Sequence, residues 1–279
     1  MKIENQTFDE ERALYNSKSI VAVNCKFDGP ADGESAFKES QNIIAQECYF
    51  NLRYPFWHNT DTSIINSKMT NLCRAALWYS KNLIIQKTQM HGIKALRECN
   101  HILINSCDIN SPEFGWSCKN IKINSSIAKS EYFLMRSKNV QIDKLEFEGK
   151  YSFQYVKNGT ITASNFNTKD AFWHAENLKI KNCKIKGEYL GWYSKNLTFE
   201  NCIIEGTQPF CYCKNLKLIN CQMNNCDLAF EKSSVHATIT TKIDSIKNPE
   251  SGKITVPSVG EIILDDKEKN KCKIIQSSN

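Results

Sequence analysis

The side chains able to do chemistry recur in this chain at a fixed interval. His174 lies nineteen residues from Tyr155 on one side and from Tyr193 on the other, Trp173 and Trp192 stand just before two of these three, and Arg136 is one interval further toward the N-terminus. Asp170 and Glu188 are carboxylates in neighbouring intervals. On strands stacked ~4.8 Å apart they are diagonal neighbours, with Cα atoms ~6 Å apart. A carboxyl pair at such a separation suits glycoside hydrolysis, in which one group protonates the leaving oxygen and the other attacks or activates water. His174 would assist as acid or base. Aromatic rings flanked by planar polar groups also suit sugar rings, and Arg136 would give a charge-assisted contact to a carboxylate or hydroxyl. A plainer reading competes: Glu113 and Glu131 repeat the diagonal, and Lys150 and Lys169 share the column of Glu188, so surface ion pairing explains much of the pattern.

These residues are positioned by a repeat. Asn120, Asn139, Asn158, Asn177, Asn196 and Asn215 fall at successive nineteen-residue steps, five of them preceded by lysine and one by glutamate. A period this strict is the mark of a solenoid, whose units bury their apolar faces only against neighbours. Counting from the Asn column as position zero, apolar residues occupy +1, +3 and +8, as in Leu178, Ile180 and Ile185, which is strand spacing and not helical spacing. Position +6 collects Cys25, Cys48, Cys107, Cys183, Cys202 and Cys221 with serines and threonine, and position −2 collects Cys99, Cys118 and Cys213 with serines, as a narrow interior requires. The fold expected is an all-β, single right-handed parallel β-helix with nineteen-residue coils, with a left-handed β-helix as the alternative. Hexapeptide and pentapeptide helices need other periods. A ladder of side-chain amides in the Asn column fits either hand.

One domain spans 1–279 in this reading, with an N-terminal cap over 1–18, about eleven coils over 19–234, and C-terminal coils and a cap over 235–279. Asp28 to Gly33 is a surface insertion, and 253–256, 261–264 and 272–275 are terminal strands around a charged loop, Asp265 to Lys269. The tryptophans at −4 stand inside or at a bend, which the pattern leaves open, and the −3 column of Tyr155, His174 and Tyr193 faces out. Phe114-Gly115 and Leu190-Gly191 invert the small-then-large order of Ala76-Leu77 and Ala171-Phe172, so bulk is exchanged between adjacent sites near that bend.

Composition narrows the function. Net charge is +6, with Lys+Arg 36 against Asp+Glu 30, short of a nucleic-acid-binding balance. The lysine column at −1 could track an anionic polymer, but solubility explains it better. No apolar run of membrane-spanning length and no signal-peptide core occurs, so no membrane partner and a cytoplasmic location are expected. Thirteen cysteines without an export signal point to free thiols in a reducing compartment. Cys211, Cys213, Cys221 and Cys226 lack the paired spacing of a zinc site, and neither a metal nor a cofactor is expected.

Residues 5–15, Phe27 to Ser35, Tyr54-Pro55-Phe56-Trp57-His58, Cys73 to Tyr79 and Asp244 to Pro249 resemble a bacterial family of unknown function grouped with pectate-lyase-like β-helices. The resemblance covers nearly the whole chain and implies the right-handed β-helix; it brings no catalytic residues. Three functions follow from the residues themselves: binding of an oligosaccharide or other extended ligand along an outer groove of the central coils, a glycan-active hydrolase or lyase using Asp170 and Glu188, or a non-catalytic interaction scaffold.

Overall fold

The computed structural model describes residues 1–29, 33–265 and 270–277. The described residues hold no helix and form short strands, each paired in parallel with its equivalent in the next coil, a parallel β-solenoid of about 14 turns. The chain divides into two compact units, Met1–Gln141 and Ile142–Asn279.

The corners explain the sequence columns. The Asn column is left-handed, with φ 55° at Asn120, 57° at Asn177 and 53° at Asn215. Asparagine tolerates that region better than other residues with a side chain. The same amides form the ladder: Asn196 donates to Asn177 at 2.8 Å, Asn177 to Asn158 at 3.0 Å and Asn215 to Asn196 at 2.9 Å. The small columns have a second task beyond filling a narrow interior. Backbone N–H groups of one coil are accepted by hydroxyls of the next: Cys118 N–H donates to Ser137 Oγ at −2, and Cys107 N–H and Leu145 N–H to Ser126 Oγ and Ser164 Oγ at +6, all at 3.0 Å. Buried backbone groups must be paired, so the column is small and polar together.

In the first unit the strands Lys18–Val23, Gln41–Gln46, Thr60–Ile65, Lys81–Gln86 and Asn100–Asn105 stack in register, with Ala22, Ala45, Ile64, Ile85 and Ile104 aligned along the interior. Residues 1–18, expected as a cap, already form strands of a coil: Ile3 pairs with Ala22, and Phe8 stacks on Phe27 at 4.9 Å. Gln6 stands there at +6, which hides the coil from the pattern. In the second unit Ile161, Ile180, Phe199, Leu218, Ala237, Ile254 and Ile274 align in the same way. The terminal strands are Ser251–Val256, Val259–Ile263 and Lys271–Gln276. Most of the expected charged loop, 266–269, and positions 30–32 of the insertion lie outside the described residues.

All thirteen cysteines are free, and twelve of them are buried. Their thiols are used by backbone carbonyls: Cys213 Sγ donates to Gly191 O at 3.1 Å and Cys226 Sγ to Ile204 O at 3.6 Å. Burial pushes the Cys226 and Cys211 thiols up to about 12, so they are unreactive near neutrality. Titration of native protein is therefore expected to find Cys272, the one half-exposed thiol, reacting first, and denaturant to release all thirteen. Several intact disulfides in protein purified without oxidant would overturn the expectation of a reducing compartment.

Candidate functional site

Around Asp170 the segment from −7 to −3 is a run of turns. Asp170, Phe172 and His174 are left-handed, with φ of 52°, 63° and 53°. Alternate left-handed residues tighten the chain into a corner, which buries positions −6, −5 and −2 and leaves −4 and −3 on the outside. Phe153, Phe172 and Phe210 fill this corner at −5, Phe230, at −4 by count, stacks on Phe210 at 6.2 Å, and all four are among the largest fully buried side chains. The exchange of bulk is visible at Gly115 and Gly191: a Cβ there would meet Leu134 Cδ2 at 2.4 Å and Phe210 Cδ1 at 2.8 Å, so the large neighbour of the next coil occupies the space.

The tryptophans lie outside and half-buried, their rings laid over the following coil. Each indole Nε1–H donates to the carbonyl of that coil's −7 corner: Trp116 to Tyr132 and Trp173 to Tyr189 at 2.7 Å, Trp192 to Gln208 at 2.8 Å. Gln154 Nε2–H does the same for Asp170 O at 3.1 Å. Trp173 and Trp192 also stack on each other, 5.4 Å apart and 4° from parallel. Their donors and one face of each are thus used by the protein. In the first unit the same column holds Arg97 between Trp78 and Trp116, 4.9 and 5.6 Å from the ring centres, a double cation–π contact.

The −3 column is a continuous rail. Tyr155, His174, Tyr193 and Tyr212 stack face to face at 4.8, 5.1 and 4.8 Å, all within 9° of parallel. Tyr155 and Tyr193 are 41% and 44% exposed, yet both faces of His174 and Tyr193 are covered. Sugar faces therefore cannot pack on those rings as expected; the rail offers ring edges and hydroxyls. Arg136 is exposed and belongs to the first unit.

The carboxylates occupy adjacent coils, with Asp170 N–H donating to Glu188 O at 3.0 Å. Asp170 is only 8% exposed, because strand alternation does not apply to a left-handed corner residue. Burial pushes its carboxyl up from the ordinary value; Lys169 opposes that and Glu188 reinforces it. Glu188 is exposed and bound by Lys169 Nζ at 2.9 Å. Acid catalysis needs two carboxyls whose environments push them apart and leave both within reach of a substrate. Here, however, Glu188 is paired with a lysine and Asp170 is sunk in a corner.

The first unit carries a recess away from these columns. A shallow recess of about 560 Å³ runs over the outer face of four strands, floored by Ile44, Ser63, Ile84 and Leu103 and walled by the corner column of Asn42, Asp61, Asn82 and His101. Its signal was legible at position +2, which is aliphatic in three of these four coils and becomes Lys122, Lys179 and Lys217 later in the chain. A second, smaller recess of about 230 Å³ in the second unit is lined by Glu146, Asn165, Lys184 and Lys186. Neither reaches Asp170. Among the described residues, no three His, Cys, Asp or Glu side chains converge as a metal site.

The family described as "Protein of unknown function (DUF3737)" matches residues 1–276. No curated protein matches the chain in sequence. Among solved structures, the chain is similar to HetL, a pentapeptide repeat protein involved in heterocyst differentiation regulation from the cyanobacterium Nostoc sp. strain PCC 7120, at 11% identity and TM-score 0.34 over 79% of this chain and 91% of that one. It is also similar to the periplasmic alginate epimerase AlgG, at 10% identity and TM-score 0.38 over 92% and 76%. The catalytic domain of a GH87 alpha-1,3-glucanase matches at 8% identity and TM-score 0.27 over 100% and 64%. Likenesses this distant carry no argument about activity.

Proposed function

The chain belongs to that family, whose description assigns no activity, and we propose from its own side chains that it is a non-catalytic binding solenoid holding an extended, polyhydroxylated ligand along the second unit, with an oligosaccharide as the class to test. One observation carries this reading. The rail of Tyr155, His174, Tyr193 and Tyr212 sets one ring edge per coil along four coils, and the stacking fixes each ring before any ligand arrives. Preorganised edges cost little entropy on binding, and phenol hydroxyls donate and accept hydrogen bonds as sugar hydroxyls do. Exposed Lys157 and half-buried Glu176, paired at 3.1 Å, flank the rail and add polar contacts.

The hydrolase or lyase reading is weaker on the same geometry, since Lys169 engages Glu188 and Asp170 is nearly buried. The binding reading is tested by a glycan array with wild type, a Tyr155→Ala/His174→Ala/Tyr193→Ala variant, and a Tyr155→Phe/Tyr193→Phe variant that keeps the stack and removes two hydroxyls. Both variants are expected to lose binding at least about tenfold while keeping the wild-type circular dichroism, a loss worth about one or two hydrogen bonds. If wild type binds no glycan, or the folded variants bind as well as wild type, the interaction-scaffold reading replaces this one.

A further inference from the structure

The outer sheet face at the C-terminal end of the second unit carries one sign of charge. Lys217, His236, Lys253 and Lys273 are partners in register on the successive strands Leu216–Asn224, Ser234–Ile239, Ser251–Val256 and Lys271–Gln276, and all four side chains are exposed. Lys271 stands beside them on the last of these strands. The four strands contain no aspartate or glutamate. Among the described residues no acid pairs with Lys217, Lys253, Lys271 or Lys273; Glu200, in register with Ile219, is held by Lys181, and Glu250, next to Ser251, by Lys214, both at 2.8 Å. Elsewhere in this unit lysines meet acids one coil away: Lys157 with Glu176 at 3.1 Å, Lys169 with Glu188 at 2.9 Å and Lys186 with Glu205 at 3.2 Å. Like charges directly opposite each other across strands are destabilising. Protection of an exposed edge accounts for Lys271 and Lys273, but not for Lys217, His236 and Lys253, whose strands are paired on both sides.

We propose that this row is a binding site for a linear polyphosphate chain laid across the strands, along the direction in which the coils stack. The cations stand one per coil, ~4.8 Å apart, so the row is one residue wide and about 14 Å long and fits a thin chain with charge on every unit. An ammonium acts on phosphate as a point charge, whereas the arginine fork suits planar carboxylates, and these strands hold no arginine. Nor do they hold a phenylalanine, tyrosine or tryptophan. A nucleic-acid strand therefore finds none of these rings on which to stack its bases, and an anionic membrane finds no aromatic anchor. Thr238 and Thr255, two residues on from His236 and Lys253, add hydroxyl donors beside the row. Binding here releases the counterions of the polyanion and relieves the repulsion between neighbouring coils. The site lies on a different column from the −3 rail and does not rest on the reading of that rail.

Fluorescence anisotropy of an end-labelled polyphosphate with the full chain tests this. Wild type is expected to bind, with an affinity that falls at least about tenfold between about 50 and 200 mM salt. Oligodeoxythymidylate and polyglutamate of matched charge are expected to compete at least about tenfold more weakly. Lys253→Gln should lower the slope of log affinity against log salt by about one, and Lys217→Gln/Lys253→Gln/Lys273→Gln should weaken binding at least about tenfold. Both variants are expected to melt no lower than wild type, since they remove like charges that face each other. Lys184→Gln, on another column of the same unit, is expected to bind as wild type does. A wild type that does not bind polyphosphate at low salt, a competitor that binds as tightly, a folded triple variant that binds as wild type does, a Lys253→Gln protein with an unchanged salt slope, or a Lys184→Gln protein weakened as much as Lys253→Gln overturns the proposal. The rail variants of the glycan array leave this row intact, so failure of the one reading is distinct from failure of the other.

Discussion

Ile180→Asp is expected to leave no soluble folded protein. Ile180 is fully buried and stands in register between Ile161 of one coil and Phe199 of the next. An aspartate there would stand between the side chains of Ile161 and Phe199, and an unpaired buried carboxyl costs several kcal/mol. That is a large part of the ~5–15 kcal/mol that holds a typical domain together. A solenoid adds a particular penalty, because every coil is stabilised by its two neighbours and a coil that opens exposes both. Ile180→Val, costing about 0.5–1.5 kcal/mol, serves as the tolerated control. The measurement is the soluble fraction on expression, followed by circular dichroism and urea unfolding of what remains. An Ile180→Asp protein that is soluble and unfolds cooperatively would refute the inward placement of this column.

Gly206→Val is expected to destabilise the second unit by about 3 kcal/mol or more. Gly206 has φ 134°, outside the range of residues with a Cβ, and a Cβ built there lies 2.0 Å from the carbonyl oxygen of Gly187 in the preceding coil and 2.6 Å from its carbon. The obstacle is backbone and cannot rotate aside. Relief requires the two coils to separate, which strains the 2.8 Å bond from Gly187 N–H to Glu205 O and the parallel pairing of Lys184–Lys186 with Ile203–Glu205. The melting temperature should fall by roughly 6 °C or more, and hydrogen exchange should accelerate first in those two strands. A variant that melts within a degree or two of wild type would show that the coils are not held at this spacing.

The interior was legible because it obeys one rule. Within the strands Glu176–Lys181 and Lys184–Lys186 the backbone is extended, alternate residues point inward, and coil-to-coil identity shows which of the two sets is buried. The Asn column was legible for a similar reason: one residue type answers both the left-handed backbone and the amide ladder. The serine and cysteine columns are legible as small but not as hydrogen-bond acceptors, since the N–H that Ser137 or Ser164 accepts belongs to another coil.

What the sequence by itself determined is therefore the period, the parallel stacking of coils and the residues that line their strands, all of which follow from a repeat that every coil must satisfy against its neighbour. The tertiary structure decided what happens at the corner. There alternate residues are left-handed, so counting by twos no longer tells inside from outside; Asp170 turns inward and the tryptophans lie outside with their N–H groups already bonded. It also decided what each exposed ring can offer. Tyr155, His174 and Tyr193 look the same in a sequence column whether their faces meet solvent or one another, and only the stacking across coils leaves a ligand the edges.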